Sequence, residues 1–471
     1  MRHRSRNPAG GPAPEVLPGR DRVVEGWLLA LTAFLVTSTL ILWRPGGIHE
    51  AIPALTGASI MYLAGLVGWH DVHTVGGIVA NAALTIISTA FMALVLDAVG
   101  FFRWVALRLA ERANGSGHRL FHLVLASSIC LTWFLNNDGS ILIGTPIIAA
   151  LVSRMRLSRN ASFAYLLGGC LMASASSSPV GVSNMANLEA MQIVGVSLTE
   201  HFSYVILPAV LGLVTCWGLL YATFSRNLPE RLSDEVGSWD GAQYPPPPGG
   251  EAQEPEASPP GTKFMWFAIG VVVVVRAGVF LASLVGLPVP IVPALGALTL
   301  LVAGWKRKIL NPWSIVPQAP WLLILFAFGM DLVVFGLRNA GITGYLASWF
   351  APVLGTDPLV ASVLPATLTA TISCLLNNHP GMIIGSITLA EIADIGRQAL
   401  LVAYTGVILA ADLGALLTPV GTLASLLWLH TVRQRGFNYY WVDYIKVTLS
   451  VIPLSLLVAL LGLYLIAIIV M

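Results

Sequence analysis

Residues 134–147 read FLNNDGSILIGTPI and residues 375–388 read LLNNHPGMIIGSIT. Each sets an Asn-Asn pair among apolar residues, followed directly by Asp138 in the first stretch and His379 in the second. Two further polar stretches lie downstream of these, SSSPVGVSN at 176–184 and LLTPVGTLA at 416–424. Amides and hydroxyls both donate and accept hydrogen bonds without carrying charge. Such groups suit a small polar ligand or a desolvated cation. Covalent chemistry has no foothold: HExxH, GxxxxGK[ST], GxSxG and any His/Cys cluster are missing from the sequence. The chain reads as a non-enzyme without a cofactor, and uphill work must draw on an ion gradient or on a separate ATPase.

A chain that is 56% hydrophobic and 10% charged is a polytopic helical membrane protein, because soluble domains carry about 25% charge. A net charge of +2 argues against nucleic acid as a partner. Cys130, Cys170, Cys216 and Cys374 are scattered in apolar segments without metal-ligand spacing, and packing is their default role. Apolar segments of spanning or near-spanning length run at 23–43, 51–69, 76–97, 118–134, 162–180, 202–224, 264–283, 288–304, 318–337, 357–375, 398–417 and 445–470. A basic tail at 1–22 precedes a first transmembrane repeat at 23–224, and the first apolar run lacks a cleavage signal and reads as a retained span. A hydrophilic Pro-rich linker at 225–262 separates this repeat from a second at 263–471.

The halves match in order at nearly constant offset. Asn136-Asn137 corresponds to Asn377-Asn378, Ile143-Gly144 to Ile384-Gly385, LDAVGFF (96–102) to LRNAGIT (337–343), and Ser178-Pro179-Val180-Gly181 to Thr418-Pro419-Val420-Gly421. Lys and Arg mark cytoplasmic loops. Arg103, Arg108, Arg112, Arg119, Arg154, Arg156 and Arg159 flank the first Asn-Asn stretch, whereas the matching second-half loops hold only Arg397. Conversely Lys306, Arg307 and Lys308 have no counterpart in the loop HDVHTVG at 70–76. That alternation favours inverted repeats with a cytoplasmic linker, although Arg2, Arg4, Arg6, Arg20 and Arg22 of the tail then fall on the opposite side. The expected fold is therefore all-α, with two inverted repeats, each holding a re-entrant helical hairpin and a discontinuous transmembrane helix.

Broken backbone survives at membrane depth only where protein or a watery cavity covers it. Paired breaks in inverted repeats point to a secondary transporter with a midmembrane site. Interhelical glue is the alternative role of a single buried Asn, but it does not account for two Asn pairs that each precede a (Ser/Thr)-Pro-Val-Gly break. Asp97, Asp138, Glu189, Asp331, Asp412, Arg276 and Arg338 lie within or beside apolar runs. A charge at the bilayer centre costs at least about 2.5–3.5 kcal/mol, so these positions call for a role or a partner. Asp138 on the first tip and Asp412 six residues before the second break are the proton-coupling candidates. Asp97 and Arg338 occupy equivalent positions and suggest a structural pair, while Glu391 and Asp394 read as solvated.

Five stretches together resemble the arsenical pump membrane protein (ArsB-type arsenite efflux permease) family of the ion transporter superfamily: NNDGSILIGTPII (136–148), SSPVGVSNMANL (177–188), FAFGMDLVVFGLRNAGIT (326–343), LLNNHPGMIIGSI (375–387) and ADLGALLTPVGTLASLLWLH (411–430). The last is the most specific, and the likeness runs from about residue 24 to the C-terminus. Two residues depart from the family pattern: His379 replaces an apolar residue and Asp331 an aromatic one. The resemblance implies efflux of arsenite or antimonite across the bacterial cytoplasmic (inner) membrane in exchange for protons, in some members with an arsenite-stimulated ATPase subunit. Arsenous acid is small, neutral and hydroxyl-rich, and gains nothing from the membrane potential, whereas each exchanged proton contributes about 2.3 kcal/mol per 100 mV. On this reading Asn136, Asn137, Asn377 and Asn378 line the site from the hairpins, Ser183, Asn184, Asn187, Thr418 and Thr422 complete it from the breaks, and Asp138 and Asp412 carry protons. Cys374 offers one thiol to a soft metalloid. A sodium/proton antiporter of the same superfamily and a passive metalloid facilitator remain the alternatives. No Lys or Arg is next to either tip in sequence, which argues against an anionic substrate.

Overall fold

In the computed structural model of the protein, residues 20–232 and 262–471 are described, and the regular elements among them are helices. The first half runs α1 (Arg20–Trp43), α2 (Ala51–Leu63), α3 (Trp69–Ala98), α4 (Phe101–Ala113), α5 (Gly117–Phe134), α6 (Asn137–Arg154), α7 (Arg159–Ala175), α8 (Met185–Val194) and α9 (Leu198–Phe224). The second runs α10 (Thr262–Leu284), α11 (Ile291–Lys306), a single turn α12 (Pro312–Ile315), α13 (Trp321–Asn339), α14 (Ile342–Leu354), α15 (Pro358–Leu375), α16 (Asn378–Ala390), α17 (Arg397–Asp412), α18 (Leu423–Gln434) and α19 (Trp441–Val470). Apart from α12, the order is the same nine elements twice. The basic tail and most of the Pro-rich linker lie outside the described residues.

Packing between the halves follows an exchange pattern. Helix α2 packs on α13 as α11 packs on α3, α6 packs on α18 as α16 packs on α8, and α9 packs on its own counterpart α19. Each contact has a counterpart with the roles of the halves swapped. The α3–α4 and α13–α14 corners turn at equivalent glycines, Gly100 and Gly341, with φ of +78° and +91°. A side chain at either position would face the left-handed steric penalty.

Among the described residues, eight helices are long and apolar enough to cross a membrane, and α17 is buried almost throughout. Leu449, Leu454, Leu457, Leu461, Leu465 and Ile469 of α19 are exposed, which in lipid carries no hydrophobic penalty. The apolar segments expected at 51–69 and 288–304 fold as helices of 13 and 16 residues. At 1.5 Å per residue they measure roughly 20 and 24 Å, short of a ~30 Å hydrocarbon core. Helix α2 stops because Gly65 takes φ +74° and the chain turns into α3.

The expected Asp97–Arg338 pair does not form. Arg338 Nε instead donates to Glu391 Oε1 at 3.1 Å, because the last turn of α13 emerges beside the end of α16. Glu391 is therefore a half-buried ion-pair partner rather than a solvated group, while Asp394 is exposed as expected.

Candidate functional site

Two hairpins and two interrupted helices meet at one place. Helices α5 and α6 join through Leu135 and Asn136, and α15 and α16 through Leu376 and Asn377, so each Asn-Asn pair is a hairpin tip. Asn136 Oδ1 accepts from Gly139 N at 2.6 Å and caps α6, while Asn377 Oδ1 accepts from His379 N at 3.1 Å and caps α16. The breaks after α7 and α17 end in the same way. Asn184 Oδ1 accepts from Ala186 N at 3.1 Å to start α8, and Thr422 Oγ1 accepts from Ser425 N at 2.9 Å to start α18. Asn and Thr are strong N-caps because their oxygens take over an orphan amide.

The four N-termini face one cavity of about 40 Å³, lined by Asn137 and Asp138, Asn184 to Ala186, Asn377 to His379, Thr422 to Ala424, and Leu323, Phe326 and Ala327 of α13. A water-sized group needs about 10–15 Å³ by the same measure, so the space holds roughly three such groups. Drug-sized ligands do not fit. Converging helix N-termini present amide donors and partial positive charge, and the Asn side chains and Asp138 add acceptors. The arrangement suits a small molecule carrying several oxygens.

The interrupted backbone is satisfied by side chains instead of helix bonds. In the first break Thr132 Oγ1 donates to Ala173 O (3.0 Å) and Trp133 Nε1 to Ser176 O (2.8 Å). Ser183 Oγ donates to Val180 O (2.6 Å) and Ser177 O (3.1 Å), and His201 Nε2 lies 2.8 Å from Ser178 O with its Nδ1 2.8 Å from Tyr404 Oη. In the second break Thr418 Oγ1 donates to Cys374 O, tying the break to the adjacent hairpin, and Thr448 Oγ1 donates to Leu417 O at 2.8 Å. Side chains that take over the freed carbonyls are what lets a buried helix break persist.

The eleven residues singled out from sequence divide into two tiers. Asn137, Asp138, Asn184, Asn377, Asn378 and Thr422 line the cavity. Asn136, Ser183, Asn187, Thr418 and Asp412 do not; they stand behind it, where Asn136 Oδ1 caps α6, Ser183 and Thr418 hold backbone carbonyls, and Asn187 Nδ2 donates to Asp412. Asp412, at the end of α17, is buried and accepts from Asn184 Nδ2 (2.8 Å) and Asn187 Nδ2 (3.0 Å). Asn184 therefore joins the cavity wall to a buried carboxylate contributed by the other half of the chain. Cys374 Sγ contacts Thr371 O at 3.4 Å and does not line the cavity. Arg276 of α10 is buried, and its Nε donates to Phe134 O at 2.8 Å, so a cation does reach the base of the first tip, contrary to the sequence adjacency.

The sequence put His379 at the second tip without assigning it a role; it lines the cavity, and its Nε2 lies 2.8 Å from Asp331 Oδ1 and 3.5 Å from Glu189 Oε2. Its placement next to the second Asn pair was the available signal. Of the apolar wall, Leu323 carried no signal, while Phe326 and Ala327 open the family-like stretch 326–343 without a polar group to single them out.

Residues 29–467 match the family model described as arsenical pump membrane protein. A Bacillus subtilis (strain 168) membrane protein, provisionally named for that pump, is 38% identical over 437 residues, covering 92% of this chain and 98% of its own length. The arsenical pump membrane protein of Escherichia coli (strain K12) is 31% identical over 420 residues, covering 89% of this chain and 94% of its own. Among solved structures, Neisseria gonorrhoeae MtrF, described as one of a class of antimetabolite efflux pumps, aligns over 94% of this chain and 97% of its own at a TM-score of 0.51. Its identity of 14% speaks to fold alone.

Proposed function

The chain belongs to the arsenical pump membrane protein family, and from that premise we propose that it exports trivalent arsenic and antimony across the bacterial inner membrane in exchange for protons. The observation that carries this reading is the small cavity at which four capped helix N-termini meet, lined by Asn137, Asn184, Asn377, Asn378 and Thr422 beside Asp138. Neutral As(OH)3 offers three oxygens that accept from the amides and three hydroxyls that donate to amide oxygens and to the carboxylate. The size limit of about three water-sized groups selects against larger solutes.

Protons couple to the substrate through two carboxylates. Asp138 stands at the cavity wall, where a bound hydroxyl and a proton compete for its oxygens. Asp412 acts through Asn184: protonation weakens its hold on Asn184 Nδ2, and the change passes to the α8 cap that Asn184 Oδ1 makes at the cavity wall. Because α17 and α8 come from different halves, the same contact transmits a proton step to the relative position of the repeats. The repeats are inverted, and alternating access moves the hairpin-bearing parts against the remaining helices, exposing the cavity to each side in turn. Any ATPase partner docks on the cytoplasmic side.

The test is transport by purified protein in liposomes under an imposed pH gradient in sodium-free buffer, with As(III) counted on both sides. Accumulation against the As(III) gradient that a protonophore abolishes supports proton exchange. Downhill movement alone replaces the exchanger by a facilitator, and proton flux that requires sodium, without As(III) movement, replaces it by an antiporter.

A further inference from the structure

Behind the cavity wall, three helices bring one donor each to a common point. Glu189 on α8, Asp331 on α13 and His379 on α16 are all buried, and their donor atoms lie within 4.8 Å of one another. We propose that these three residues form a binding site for a zinc-class divalent cation.

The convergence is on a single atom. His379 Nε2 is 2.8 Å from Asp331 Oδ1 and 3.5 Å from Glu189 Oε2. Bonds of 2.0–2.2 Å place neighbouring donors of a tetrahedral or octahedral cation roughly 2.8–3.6 Å apart; both distances from His379 Nε2 fall in that range, and the two carboxylates lie within 4.8 Å of each other. A hydrogen-bonded cluster without a cation leaves one member stranded. The Nε2 position carries one proton, and Asp331 takes it. Glu189 is fully buried, and neither of its carboxylate oxygens accepts a hydrogen bond among the described residues. An unsatisfied buried carboxylate is costly and rare in native structures. A cation at the meeting point serves all three groups, and a charge of +2 balances two carboxylates in low-dielectric surroundings.

The donor set selects the cation. One imidazole with two carboxylates suits Zn²⁺, Co²⁺ or Fe²⁺ better than Mg²⁺ or Ca²⁺, which take oxygen ligands. No thiol is in the group, so a soft metalloid is not its ligand. Helix α16 packs against both α8 and α13, and a bound cation clasps an element of the first half to two of the second beside the cavity that His379 also lines.

Full-length protein in detergent, stripped with chelator and titrated with Co²⁺, is expected to bind about one equivalent with visible ligand-field absorption that Zn²⁺ abolishes and excess Mg²⁺ does not. Glu189→Gln and His379→Met should each weaken that binding by about tenfold or more, since even outer-shell changes cost 10–100-fold. A His70→Ala, His73→Ala variant at the exposed start of α3 should retain it. Stoichiometric binding that both site variants keep, or that the exposed-histidine variant loses, overturns the assignment, as does a wild-type protein that takes up no Co²⁺. Glu189→Gln preserves shape, so it decides the matter even where His379→Met fails to yield monodisperse protein, and should both fail, the wild-type stoichiometry and spectrum decide alone.

Discussion

Asp412→Asn separates the proton from the fold, because the structure shows how the protein can accommodate it. The carboxylate holds two amides, Asn184 Nδ2 at 2.8 Å and Asn187 Nδ2 at 3.0 Å. In the variant one oxygen becomes an NH2 group, and one of those amides meets a donor. Asn184 cannot turn over, since its Oδ1 caps α8 through Ala186 N. Asn187 can, because its Oδ1 is buried without a hydrogen-bond partner, and turning gives that oxygen the new NH2 while Ser177 O keeps its bond from Ser183 Oγ. Two charge-assisted bonds of about 1.5–3 kcal/mol become two neutral ones of about 0.5–1.5 kcal/mol, a loss of roughly 2–3 kcal/mol for the pair, and the turned Asn187 amide also gives up its long 3.5 Å bond to Ser177 O. The variant should fold, unfold a few degrees lower in a thermal scan of the purified protein, and still equilibrate As(III) down its gradient. Proton-driven accumulation in liposomes should disappear. Wild-type accumulation with wild-type protonophore sensitivity in Asp412→Asn would refute the assignment of Asp412 as a coupling residue, and loss of folded protein would refute the rearrangement at Asn187.

Other substitutions probe the scaffold. Gly421→Ala sets a Cβ onto the Ala415 carbonyl oxygen inside the second break, so little monodisperse protein should survive size-exclusion chromatography. His201→Leu removes the donor to Ser178 O and should cost about 1–3 kcal/mol of stability, read as a lower unfolding midpoint. Thr418→Val keeps the shape but releases the second hairpin from its break; transport should fall several-fold with a smaller change in thermal stability. Arg397→Gln removes a bidentate but half-exposed pair with Glu200, so the unfolding midpoint should move by no more than about 1 kcal/mol equivalent.

Much of this protein is written locally. Membrane residence follows from long uncharged apolar runs, since the cost of exposing them to water accumulates residue by residue along each helix. The duplicated element order was legible because the Asn-Asn and Pro-Val-Gly landmarks mark chain interruptions wherever they occur. Chain direction alone could not say which residue of a polar stretch faces the ligand. Asn136 and Asn137 are neighbours of one type, yet the first gives its oxygen to Gly139 N as a cap and the second, one step around the helix, lines the cavity. Successive residues point about 100° apart around a helix axis, and composition carries no record of where that axis is set. The grouping of Glu189, Asp331 and His379 lies still further from the sequence. Those residues sit on three helices from both halves, and only the packing of α16 between α8 and α13 brings their donor atoms together.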